Sequence, residues 1–187
     1  MKVEKKEENA IVLDVLMKGH PDDPRPPFKR EPIIQAMGIE QFKLLELVPK
    51  PNVIIDLHEK VYIGDSERLK IERVKRRIGY NELTHTARGE LPFIIEKVVK
   101  DREADFVTFF NKAISITPKL HMLHLLPGIG KKLMWEILEE RDKRPFANFV
   151  DISTRIKSIP HPDKMVIARI LEELQDPEVK YHVFTTK

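Results

Sequence analysis

Leu126-Pro127-Gly128-Ile129-Gly130-Lys131-Lys132 is the stretch on which the reading of this chain turns. Two glycines flank one aliphatic residue, which lets the backbone turn tightly with Ile129 pointing inward as an anchor. Upstream, Pro118 suits the first turn of a helix, where its missing N–H costs nothing. Leu120, Leu123 and Leu126 then recur at helical spacing. Downstream, Leu133, Met134, Ile137 and Leu138 restart the period on one face. The expectation is helix, short turn, helix. Such a turn leaves N–H groups free at a helix N-terminus, where the dipole favours an anion. Lys131 and Lys132 add positive charge beside it. A tight αα-hairpin with no ligand uses the same glycines; the lysine pair is what a turn alone does not need.

From Leu126 through Ile137 to Arg141 the segment resembles the helix-hairpin-helix family of nucleic-acid backbone binders. The resemblance implies that the amides of Gly128, Ile129 and Gly130, with Lys131 and Lys132, hold a backbone phosphate of DNA or RNA. One position departs from the family: four residues after Gly130 a small side chain is usual, and here stands Met134. Residues 143–156 resemble the link between two hairpins of a tandem domain, with Phe146, Phe149, Ile152 and Ile156 as core candidates. Ile159-Pro160-His161-Pro162-Asp163 stands where a second hairpin belongs. It lacks both glycines, and its prolines remove two amides, so it reads as a structural pseudo-repeat. Ile167, Ile170, Leu171 and Leu174 mark the apolar face of a last helix, and residues 181–185 suggest a short closing strand.

The front half reads differently. Ala10–Leu16 is rich in β-branched residues and reads as a strand. His20 to Pro32 carries five prolines and must be a loop; Arg25, Phe28, Lys29 and Arg30 within it suit either a rigid surface loop or a grip on nucleic acid by charge and stacking. Short apolar runs at 33–37, 42–48, 53–57 and 61–63 suggest a small antiparallel barrel or sandwich, although 42–48 fits a short helix equally well. Residues 68–77 are the most basic tract. As a fifth strand they complete an OB-like barrel, with Arg73, Lys75, Arg76 and Arg77 either tracking phosphates or blunting a solvated edge. From Tyr80 onward the pattern is helical: a short helix over 81–89 closed by Gly89, another over 91–100, and a third over 104–113 whose Phe106, Phe109 and Phe110 read as core.

Composition sets the outer limits. At 187 residues the chain can bury one large or two small cores. Lys+Arg 33 against Asp+Glu 30 leaves only +3, so attraction to a polyanion must come from local clustering. Cysteine is absent, which excludes disulfides, thiol catalysis and cysteine-ligated metals. The charged N-terminus has no signal core and no run approaches spanning length, so the expectation is a cytoplasmic protein with no membrane partner.

Across nearly its whole length the chain also resembles an uncharacterised archaeal family grouped as a domain of unknown function (family 655). Leu44–Pro49, Val61–Gly64, Phe109–Asn111 and Leu125–Lys132 carry that likeness. It implies an OB-like front and a helical back. Its members tend to be encoded beside ribosome- and transcription-related genes, which points to RNA and to ribosome- or transcription-related protein partners.

The combined expectation is an α+β protein: an OB-like small β-barrel over residues 8–80, then a tandem helix-hairpin-helix domain over 81–187 with one competent hairpin. The function expected is non-enzymatic binding of nucleic-acid backbone, RNA ahead of DNA, with no cofactor and no metal. One alternative is a glycosylase-type lyase, which the hairpin resemblance implies would use Lys132 as nucleophile with Asp151 assisting. The other is a protein-interaction scaffold centred on Trp135, which lies off its helix's apolar face. His121 and His124 share a helix spacing but have no evident third ligand.

Overall fold

Near-continuous apolar runs in β1 (Asn9–Leu16), β2 (Ile33–Gly38) and β3 (Leu44–Pro49) build an antiparallel meander. The structure, a computed structural model, describes residues 5–186. Lys187, the end of the expected helical domain, and the first four residues of the charged N-terminus lie outside them. β4 (Lys60–Tyr62) pairs with β1, and β5 (Ile71–Arg77) pairs with β3, giving the order β4-β1-β2-β3-β5. The sheet curls as an open half-barrel. The basic tract is indeed the fifth strand, but it does not close a barrel: β4 and β5 are the two edges and do not pair. Residues 42–48 are strand from Leu44, while 53–57 form no strand and leave Ile54 exposed. The 20–32 loop contains one 3-10 turn, Pro27–Lys29.

One face of the sheet carries Ala10, Val12, Ile34, Ala36, Leu45, Leu47, Val61 and Ile71, each two residues from the next along its strand where a strand supplies several. β2 and β3 are buried on both faces. Their second face includes two polar side chains, Gln35 and Glu46, and both are satisfied. Gln35 donates to the Glu82 carbonyl at 3.0 Å and accepts the Thr84 amide at 2.8 Å. Glu46 accepts Arg76 Nε at 2.8 Å.

Five helices follow: α1 (His85–Asp101), α2 (Glu103–Lys112), α3 (Lys131–Lys143), α4 (Phe149–Arg155) and α5 (Pro162–Gln175). The two helices expected over 81–100 are one. Gly89 does not cap and Pro92 does not break, because Ala87, Leu91, Ile94, Ile95, Val98 and Val99 keep one buried stripe through both residues. The chain divides into two compact units: the residues through Ile94 with Leu174–Glu178 and the stretch from His182, and Ile95–Glu173 with Val179–Tyr181. The division falls inside α1, where sequence alone placed the junction at 80/81.

The helix expected from Pro118 is absent. A two-stranded ribbon, β6 (Ser115–Thr117) and β7 (Leu120–His121), takes its place, followed by a single 3-10 turn over Met122–Leu125. Pro118 is preset for the second position of the Thr117–Leu120 turn just as it is for a helix start, and pairing of Ser115 with His121 decides the matter. Residues 181–185 form no strand.

Candidate functional site

The Pro127–Gly130 turn is built from both sides. Leu123, Leu126 and Ile129 are buried, so the loop is pinned by three apolar side chains while Pro127, Gly128 and Gly130 stay exposed. Gly128 has φ +85°, a conformation open to glycine at little cost. Gly130 is the N-cap of α3 with extended backbone, and no side chain caps it. Lys131 and Lys132 are the first two residues of α3, and both are exposed.

The expected donors divide. The Ile129 amide is not available: it donates to the Leu126 carbonyl at 3.2 Å, closing the turn. The amides of Gly128, Gly130, Lys131 and Lys132 have no acceptor among the described residues, and neither lysine forms an ion pair there. Four N–H groups without an acceptor and two exposed lysines thus fall within five consecutive residues of one exposed turn. That arrangement can hold a tetrahedral oxyanion by charge and main-chain hydrogen bonding.

The turn opens on a shallow cleft of about 720 Å³, lined opposite by Ala168, Arg169 and Glu172 of α5. Arg169 is buried, with Nε 3.0 Å from Glu173, Nη1 3.0 Å from Glu172, and Nη2 bonded to the Tyr181 carbonyl. The fully buried stripe of α5 is therefore Val166, Arg169, Ile170 and Glu173; of the expected face Ile170 is buried, while Ile167, Leu171 and Leu174 are half-buried. An apolar period cannot register a buried ion pair.

The other four candidates lie along β5. Arg73 and Lys75, two residues apart on one side of the strand, converge on Glu31, Lys75 at 3.2 Å. Arg76 bridges Glu46 at 2.8 Å and Glu82 at 2.5 Å, and Arg77 donates to the Thr186 carbonyl. Much of this charge is met within the chain. The two cations on Glu31 leave a local excess beside the Phe28 loop.

Asp151 has a structural task. Its Oδ2 accepts the Ala147 amide at 3.0 Å while Asn148 caps the Asp151 amide at 2.7 Å, and Arg144 and Arg155 flank it. The Ala147 amide first, then Arg155 and Arg144, hold its carboxyl below the usual range. His121 and His124 are likewise spent on the chain: their Nδ1 atoms accept the amides of Leu123 (3.1 Å) and His121 (3.2 Å). No cluster of three metal-ligating side chains occurs among the described residues. None of their helices is long and apolar enough to cross a membrane.

A family model described as "Protein of unknown function (DUF655)" matches residues 6–186. The chain belongs to the DUF655 family. The uncharacterized protein MJ0038 of Methanocaldococcus jannaschii is 46% identical over 184 residues, spanning 98% of this chain and 82% of its own length. The crystal structure of Af1531 from Archaeoglobus fulgidus, itself DUF655, superposes with a TM-score of 0.88 at 46% identity, covering 96% of this chain and 100% of that one. What the sequence missed in this DUF655 chain is the α5 wall of the cleft. Arg169 and Glu173, spaced i and i+4 with opposite charge, were the available signal.

Proposed function

We propose that this DUF655 chain is a non-enzymatic nucleic-acid-binding protein that grips backbone phosphate at the Gly128–Lys132 turn, acting as a helix-hairpin-helix-like element. The observation that carries the reading is the exposed turn itself, where the amides of Gly128, Gly130, Lys131 and Lys132 have no acceptor among the described residues beside two unpaired lysines. Gly128, Gly130, Lys131 and Lys132 are the contacts, and Ile129 shapes the turn from beneath. Arg73, Lys75, Arg76 and Arg77 of the OB-like sheet supply secondary charge. RNA is favoured over DNA, with ribosome- or transcription-related proteins as companions, on the gene neighbourhood that the family resemblance implies. Lyase chemistry is not proposed, since Asp151 is committed to the Ala147 amide and to Arg144 and Arg155.

The test is a salt-titrated binding series on single- and double-stranded RNA and DNA, wild type against Lys131→Glu/Lys132→Glu. The double variant is expected to weaken binding to all sequences alike and to reduce the salt slope by about 2. Binding that ignores both lysines removes the proposal.

A further inference from the structure

Trp135 is the one tryptophan of the chain and is 58% exposed. It follows Lys131 by four residues and Lys132 by three, so all three side chains share one face of α3 within a single turn, about 5.4 Å along the axis. That turn starts at the exposed hairpin. Every other apolar residue of α3 is buried or half-buried: Leu133, Met134, Ile137 and Leu138. The exposed remainder of the helix, namely Lys131, Lys132, Glu139, Asp142 and Lys143, is charged.

We infer that Trp135 is a stacking platform for an unpaired base, so that the site takes single-stranded nucleic acid: phosphate at the hairpin, base on the indole. The inference rests on the hairpin reading and narrows its ligand. A protein-binding anchor sits at the centre of an apolar patch that excludes water, whereas the exposed positions one turn either side of Trp135 on α3 are Lys131, Lys132 and Glu139. A lone aromatic beside cations and free amides is the pairing that single-strand binders use, because every base offers a π-face and every nucleotide a phosphate. In a duplex the base faces are already stacked and out of reach, so the indole gains nothing there.

The experiment reads two signals from the full chain with a labelled oligonucleotide. Anisotropy of the label reports binding; emission of the native tryptophan reports stacking. A single-stranded oligonucleotide is expected to quench Trp135 on saturation, while an abasic oligonucleotide of equal length and a duplex bind without quenching. Trp135→Ala is expected to weaken single-strand binding on the order of tenfold with the salt slope unchanged; Trp135→Phe should recover part of that loss. Saturated single-strand complexes that leave the tryptophan unquenched, or equal affinity in Trp135→Ala, overturn the inference even when Lys131 and Lys132 are essential, as does Trp135-dependent binding of protein alone. Binding indifferent to the lysines instead overturns the hairpin reading beneath it.

Discussion

The carboxyl group of Glu7 lies against the α-carbon of Gly38, where a Cβ would come within 2.1 Å of the carboxyl carbon. Glu7 is buried there in a cradle of three amides, those of Glu40 (2.8 Å), Gln41 (2.9 Å) and Lys43 (3.1 Å), in the β2–β3 turn. Gly38→Ala must expel the Glu7 side chain and strand those amides. We expect a loss of about 2 kcal/mol or more, read as a lower urea midpoint with unchanged m-value.

The same carboxyl makes stability depend on pH. Burial first, then the hydrogen bond with the Glu40 side chain, raises Glu7 from the usual 4.5 to about 7 against the lowering pull of the amides. Between those values the native state holds a proton that the unfolded chain releases. The contribution is therefore full below pH 4.5 and is lost as pH rises through 7. Urea titrations from pH 4.5 to 8 should show wild type losing about 3 kcal/mol relative to Glu7→Gln, which cannot ionise. Parallel curves for the two proteins would contradict the protonated carboxyl.

At the hairpin, folding and binding separate by position. A Cβ at Gly130 meets nothing within 4 Å and its φ is −85°, so Gly130→Ala should leave stability within about 0.5 kcal/mol of wild type. If the turn holds phosphate as proposed, the added methyl crowds the amides beside it, so affinity for nucleic acid should still fall several-fold in the salt-titrated assay. Gly128→Ala, at φ +85°, should cost about 1 kcal/mol of stability as well.

The long α1 offers a check on its continuity. Pro92 is exposed in the helix interior and lacks the N–H that would reach the Arg88 carbonyl. Gly89 has open space where a Cβ would stand. Gly89→Ala and Pro92→Ala should each stabilise the fold, by about 1 kcal/mol for the glycine and more for the proline, read as a higher thermal midpoint. Two separate helices broken at these residues would instead be destabilised by either change.

How much of this was legible depended on range. The strand over 10–16, the proline loop, α2 and the buried Phe146, Phe149, Ile152 and Ile156 follow from local period and composition, and the structure has them there. The run at 53–57 has strand composition but no neighbour to pair with, so Ile54 ends exposed. Pro118 and the leucines after it fit a helix locally, yet the Ser115–His121 pairing makes a ribbon. The Ile129 amide could not be seen as occupied, since that depends on the angle at which Leu126 enters the turn.

Sequence by itself determined the residue types at the hairpin: glycines that let backbone come forward, an isoleucine that sinks, and two lysines that head a helix. These properties are intrinsic to side chains and their spacing. Tertiary structure alone decided that α5 lines the cleft with the turn, that Gln35 meets Glu82 and Thr84, and that Glu31 meets Arg73 and Lys75. Hydrogen bonds and ion pairs between distant segments depend on where the chain returns in space, and spacing along one segment carries no record of that return.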